Sequence, residues 1–374
     1  GNVDDVYDLS WVDNAGWGDN IWLEDSSLSA KFGTENSTTL HVQIPEGTVG
    51  GTEDNITVTA TSQLDNTVSD SDSCIAQVPI VHRVIVSISP EEISALHGEN
   101  LTYTVTVTNN GTVDDTYDMT AVDNENWGPT LDDSSLSIPF KENRTTTLRV
   151  HIPENAIGCT RDNITVTATG TGVENSASCI AHVEIVRGVQ VSISPDFQEG
   201  IPDETLEYVV TVTSTGNVHD TYDLSVVDNM NWGPTVSENS LWVPARGENT
   251  TTLSVTIPEK TFAGKRDNIT VTASGISVED SASAIASVGV VRGVDVSISP
   301  SFQENLPGEN LVYIVTVTNL GNIADNYNLS VSQTQNWEVL FWFTFINLPP
   351  YSSAQSELIV IIPEVAVPGT QDNI

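Results

Sequence analysis

The decapeptide GNVDDVYDLS at residue 1 returns as GTVDDTYDMT at 111, GNVHDTYDLS at 216 and GNIADNYNLS at 321, in steps of 110, 105 and 105 residues. Trp17, Trp127, Trp232 and Trp337 follow that anchor at a constant 16 residues, and DNITVTA recurs at 54, 162 and 267, with DNI again at 372. A chain written this way folds as copies of one unit, and whatever one copy must bury, every copy must bury.

Within a unit the apolar period is two. In LTYTVTVTN, from 101, Leu101, Tyr103, Val105 and Val107 share one face and the threonines share the other, as a half-buried strand requires. VIVSISP at 84, TTTLRVHIP at 145, NITVTATG at 163 and CIAHVEIV at 179 alternate likewise between Gly, Pro, Asn or Asp, and no segment carries a helical period. About seven short strands per unit, with a Trp at the third, predict an all-β chain of tandem immunoglobulin-like β-sandwich domains. The VSISP strands set the boundaries: 83–187 and 188–292 are complete units, 1–82 lacks its first two strands, and 293–374 lacks its last strands. Linkers are almost absent, which predicts units stacked as a semi-rigid rod. The open ends read as an excerpt of a longer repeat protein, or as sandwiches completed by strands from a neighbouring copy.

Fifty-one Asp and Glu against 12 Lys and Arg give a formal charge of -39, which repels nucleic acid and anionic membrane surfaces. No apolar run is long enough to insert into a membrane within this segment. The three cysteines match neither a disulfide framework nor a zinc spacing. Cys74 and Cys179 share a strand phase with Ala284 and are expected to be buried, and Cys159 is expected at the opposite end of a hairpin from Cys179, too far for a disulfide. The six histidines, His41, His82, His97, His151, His182 and His219, form no recurring pair, and no nucleophile-elbow, HExxH, P-loop or dinucleotide motif is present, so no catalytic site and no enzyme are expected.

The run LTYTVTVTNNGTVDDTYDMT, then NWGP, KENRTTTLRVHIPENA and DNITVTATG, resembles the CARDB-like and related adhesion-type immunoglobulin-like repeats of archaeal, and some bacterial, cell-surface and secreted proteins. The resemblance covers essentially the whole chain. It implies an extracellular setting and an architecture, with no common catalytic residues.

Three sets of residues are candidates for function. Asp114, Asp115, Asp118 and Asp123 recur in other units, and hard oxygen ligands of this kind suit Ca2+, although Asp also makes turns; no other cofactor is expected. Asn-x-Ser/Thr sequons begin at Asn36, Asn55, Asn100, Asn110, Asn143, Asn163, Asn249, Asn268 and Asn328, acceptors for covalent N-glycans on an extracellular protein. Finally, Phe341, Trp342, Phe343 and Phe345 align without a gap on Val236, Ser237, Glu238 and Ser240. Aromatics replacing a polar loop read as an interface rather than as core. The expectation is an extracellular structural protein that self-associates into a filament, sheath or surface-layer element. An adhesin stalk and a carbohydrate-binding region of a secreted hydrolase are the alternatives.

Overall fold

A computed structural model describes residues 1–374. The chain divides into two compact units, Gly1–Ile185 and Val186–Ile374. Apart from a single 3-10 turn at Gly18–Asn20, every regular element is a strand.

In the first unit, residues 84–183 show a complete sandwich. Val84–Ser89, Asn100–Asn109, Asn143–His151 and Thr130–Leu131 form one antiparallel sheet in that order. The facing sheet runs Ser135–Ile138, Asp115–Asp123, Arg161–Gly170, Val173–Val183, with Glu92–Ala95 added in parallel at its edge. The chain changes sheets beside a cis Ser89–Pro90 bond. Period-two alternation places Leu101, Tyr103, Val105 and Val107 inside, opposite Tyr117, Met119, Ile164, Val166, Ala168 and Cys179. Each such side chain contributes about 1.5–3 kcal/mol on burial. Ahead of this sandwich, Ser27–Ala30, Asp5–Val12, Glu53–Ser62 and Ser69–Gln77 form a four-stranded sheet, accompanied by the pair Ile21–Leu23 and Leu40–Val42.

The second unit repeats the plan. Val189–Ser194, Thr205–Ser214, Glu248–Thr256 and Thr235–Val236 face Phe197–Gly200, Val278–Val288, Arg266–Gly275, Asp220–Asp228 and Ser240–Val243. They are followed by a sheet of Val294–Ser299, Asn310–Asn319, Ser353–Ile361 and Glu338–Phe341, and by the pair Asp325–Asn328 and Phe345–Leu348.

Three expectations are corrected. The repeated Trp does not lie in the third strand: Trp127 and Trp232 follow Asp115–Asp123 and Asp220–Asp228 in loops, half-buried, their amides donating to Asp123 and Asp228. The buried aromatics of those strands are Tyr117 and Tyr222, whose hydroxyls donate to Arg83 O and Gly188 O, a polar handle that buried indole could not place there. Cys74 is exposed, unlike Cys179 and Ala284, because in residues 1–82 no sheet equivalent to Val84–Ser89 and Asn100–Asn109 covers its strand. Cys159 sits at the open end of its hairpin, where its amide donates to Val183 O, and Cys179 opposite Ile164 lies toward that same end. All three thiols are free.

Within each unit, hydrogen bonds to one turn residue join its two repeats. In the first unit Gly50 N–H donates to Thr112 O at 2.7 Å and Val81 N–H donates to Thr112 Oγ1 at 2.9 Å. At the same repeat positions in the second unit Ala263 N–H donates to Asn322 O at 3.0 Å and Val291 N–H donates to Asn322 Oδ1 at 2.8 Å. A basic side chain just before the first strand then pairs with the Asp that opens Asp115–Asp123, Asp220–Asp228 or Asp325–Asn328: His82–Asp115 at 2.9 Å, Arg187–Asp220 at 2.5 Å and Arg292–Asp325 at 2.6 Å. Burial alone would raise the Asp115 carboxyl, but hydrogen bonds from His82, Thr116 and Thr171 outweigh it and hold the group below the ordinary value.

The corner between the second and third strands depends on one side chain. Asn109 Nδ2 donates to Val113 O and Ile138 O, and its Oδ1 accepts the Gly111 amide; Asn319 repeats the pattern with Ile323, Leu348 and Gly321. The third repeat has Ser214 there, 2 % exposed, with a buried hydroxyl that meets no partner. Ser214→Asn is therefore expected to stabilise the chain by about 1 kcal/mol and Asn109→Ser to destabilise it by about 2 kcal/mol, checked by calorimetric unfolding of each variant.

Candidate functional site

The aromatic stretch is divided by the strand period. Glu338–Phe341 pairs with Ser353–Ile361, setting Phe341 opposite Leu358 and turning it inward with Val339. The chain then crosses to the other sheet, Trp342 N–H donating to Glu357 O at 3.0 Å on the way. In Phe345–Leu348 the inward positions belong to Ile346 and Leu348, so Phe345 points out. Phe341 and Phe343 thus pack on the core of their own repeat, whereas Trp342 is 77 % exposed and Phe345 57 % exposed. Of the four aromatics expected at an interface, Phe341 and Phe343 are corrected to core positions, and Trp342 and Phe345 are exposed. Leu340, 47 % exposed, joins them on the surface; the polar Thr235, Ser237 and Ser240 hold the three positions in the preceding repeat.

Two further exposed indoles were not singled out in the sequence. Trp22 stacks on His41 at 4.9 Å between ring centroids and 9° between planes, with Glu24 hydrogen-bonded to His41 Nε2 at 3.1 Å. Trp242 stacks on His219 at 5.5 Å and 21°. Strand pairing brings Trp22 and His41 directly opposite, a contact that spacing alone does not reveal.

Of the four carboxylates considered for Ca2+, Asp115 is buried against His82, Asp114 accepts the Phe140 amide, Asp118 points outward, and Asp123 accepts the Trp127 and Gly128 amides. Asp115 and Asp123 close the two ends of one strand, about 26 Å apart at strand rise, so the set does not converge. No three His, Cys, Asp or Glu side chains come together in a group able to hold a metal ion. Ser94, His182 and Glu92 do meet, but Ser94 Oγ at 3.1 Å and Glu92 at 3.7 Å both approach His182 Nδ1. One ring nitrogen cannot both accept from a nucleophile and donate to a carboxylate, so no relay results.

All nine sequon asparagines are exposed. The side-chain amides of Asn36 and Asn249 donate to Ser29 O and Trp242 O, each at 3.1 Å. A cleft of about 870 Å3 lined by Leu311, Tyr313, Trp337, Val360 and Ile362 lies on the inner face of the last sheet. That face corresponds to the one covered by Arg266–Gly275 and Val278–Val288 in the preceding repeat, and its lining is that of a sandwich interior.

No protein-family model and no curated protein matches the chain. Solved structures do match. A protocadherin gammaB7 EC3-6 cis-dimer structure is 10% identical, with a TM-score of 0.41, over 96% of this chain and 91% of that one. The Yersinia pseudotuberculosis adhesin InvE is 12% identical, TM-score 0.30, over 55% and 60%. A protein of unknown function from Porphyromonas gingivalis W83 is 12% identical, TM-score 0.24, over 54% and 99%. At such scores the matches decide nothing about function, and the tandem sandwich assignment rests on the sheets themselves.

Because Phe341 and Phe343 fill core space, Phe341→Ala and Phe343→Ala are each expected to cost about 2 kcal/mol. Trp342→Ser and Phe345→Ser should stay within about 0.5 kcal/mol of the parent. Denaturant unfolding followed by circular dichroism separates the two classes.

Proposed function

We propose that this chain is an extracellular structural protein that self-associates through its last repeat into a filament, sheath or surface-layer element. It acts by holding shape rather than by catalysis, and its repeats are of the CARDB-like kind. The observation that supports this reading is the exposure of Trp342, Phe345 and Leu340 where the preceding repeat presents Ser and Thr. Large aromatics left in water gain most from a partner that desolvates them. The joints closed by backbone hydrogen bonds suit a load-bearing role. The charge of -39 keeps unassociated chains apart in solution.

A second reading, binding of polysaccharide, is favoured by the Trp22–His41 and Trp242–His219 stacks, since an exposed indole ring offers an apolar plane to a sugar face. Both are tested on one preparation. Electron microscopy and sedimentation velocity of the parent chain should show concentration-dependent assembly that Trp342→Ser with Phe345→Ser abolishes at unchanged Tm. A chain that stays monomeric at all concentrations, yet is retarded in polysaccharide-containing gels in a manner lost on Trp22→Ala, would move the assignment to the second reading.

A further inference from the structure

Asp162 and Asp267 stand on the inward phase of their strands, fully buried, where the neighbouring inward positions are Ile164 and Val166, or Ile269 and Val271. One carboxyl oxygen of each is satisfied. Asp162 Oδ1 accepts the Asn124 and Glu125 amides at 3.2 Å, and Asp267 Oδ1 accepts those of Asn229 and Met230 at 3.2 and 3.1 Å. The other oxygen, Oδ2, is shut off from solvent and meets no donor in either repeat. Asp54 in the first repeat has the same two amides on Oδ1 and the same orphaned Oδ2. A defect this costly, repeated in register, calls for a neutralising species.

The surroundings narrow what that species is. Asp162 is faced by Asp123 and Glu125 from the loop side, by Tyr103 from the opposite sheet and by Cys179 from the adjacent strand. Asp267 is faced by Asp228 from the loop side and by Tyr208. Neither tyrosine supplies the missing donor, since Tyr103 and Tyr208 give their hydroxyl protons to Ile180 O and Ile285 O. None of these facing groups is a cation, and the backbone groups aimed at the carboxyls are N–H, not the carbonyls a metal ion would need. What fits between two carboxyls in such a place is a proton.

We infer that in the second and third repeats the buried aspartate takes up a proton on its orphaned oxygen in mild acid, beside the carboxylate of Asp123 or Asp228, so that both repeats gain stability there. Burial pushes Asp162 and Asp267 above the ordinary aspartate value, and the adjacent carboxylates add to the push against the opposing amides. A carboxyl raised in the folded state binds its proton more tightly there than in the unfolded chain. Its contribution to stability therefore grows as pH falls through the folded value and is lost as pH rises above it. Asp115, held below the ordinary value, has the opposite slope and loses its contribution only at lower pH. Stability should peak between the two. The fourth repeat has neutral Gln333 where the others have Asp13, Asp123 and Asp228.

The test is calorimetry of the full chain from about pH 7.5 to about pH 4, for the parent and for Asp162→Asn with Asp267→Asn. Asn keeps the acceptor for the two amides and sets a neutral Nδ2 donor where the orphaned oxygen was, with no proton to gain or lose in this range. The parent Tm should rise by about 5 °C between neutrality and mild acid, and the variant should lose at least half of that rise, starting from an equal or higher Tm at neutral pH. The general relief of negative charge acts on both chains alike, so parallel curves would overturn the inference. If the variant does not fold, Asp123→Asn with Asp228→Asn removes the opposing charge and carries the same expectation. Infrared spectra of the folded parent in mild acid should show a protonated-carboxyl band that Asp162→Asn with Asp267→Asn weakens; an identical band in the two chains overturns the inference. So does a neutral-pH Tm that Ca2+ or Na+ alone lifts to the acid value.

Discussion

The long strands of the complete repeats have one face built mainly of Val, Ile, Leu or Tyr and one of Thr, Ser or Asn, and a sheet of such strands cannot stand alone in water. The fold answers that single demand. Two sheets close over each other in the complete repeats, and the order of strands, the change of sheet after Ser89 and Ser194 and the corner at Asn109 all keep the apolar faces opposed. Where a facing sheet is reduced, as over Ser69–Gln77, the same pattern leaves Cys74 in solvent, although its counterpart Cys179 is buried. Burial thus follows the partner sheet rather than the residue type.

Much of this was legible in the sequence because it is local. Alternation from Leu101 to Val107 predicts the strand and its inward face, and the repeat transfers that prediction to every copy. The alternation also carried more than was drawn from it. An Asp two residues before Ile164 or Ile269 lies on the inward phase, and a charged residue there is a readable sign of an unusual carboxyl. Likewise His82 occupies the place of Arg187 and Arg292, which marks it as the partner of Asp115 rather than a stray histidine.

The rest was not legible because it depends on pairing across strands. Phe341 and Trp342 are neighbours in sequence, yet one is core and the other surface, and only the register of Glu338–Phe341 against Ser353–Ile361 decides which is which. The four candidate calcium ligands look like a cluster in the chain but are spread along a strand. Trp22 and His41 are 19 residues apart and meet because two short strands align them.

The joint within each unit is made partly of peptide groups, an amide at Gly50 or Ala263 and a carbonyl at Thr112 or Asn322, and partly of the side chain at that same residue, whose oxygen accepts from Val81 or Val291. Thr and Asn both serve there, because each sets an acceptor oxygen close to the backbone. A copied repeat therefore carries its half of the connection with it as long as one position keeps a short side chain with an oxygen, and array length can change across generations under that single constraint.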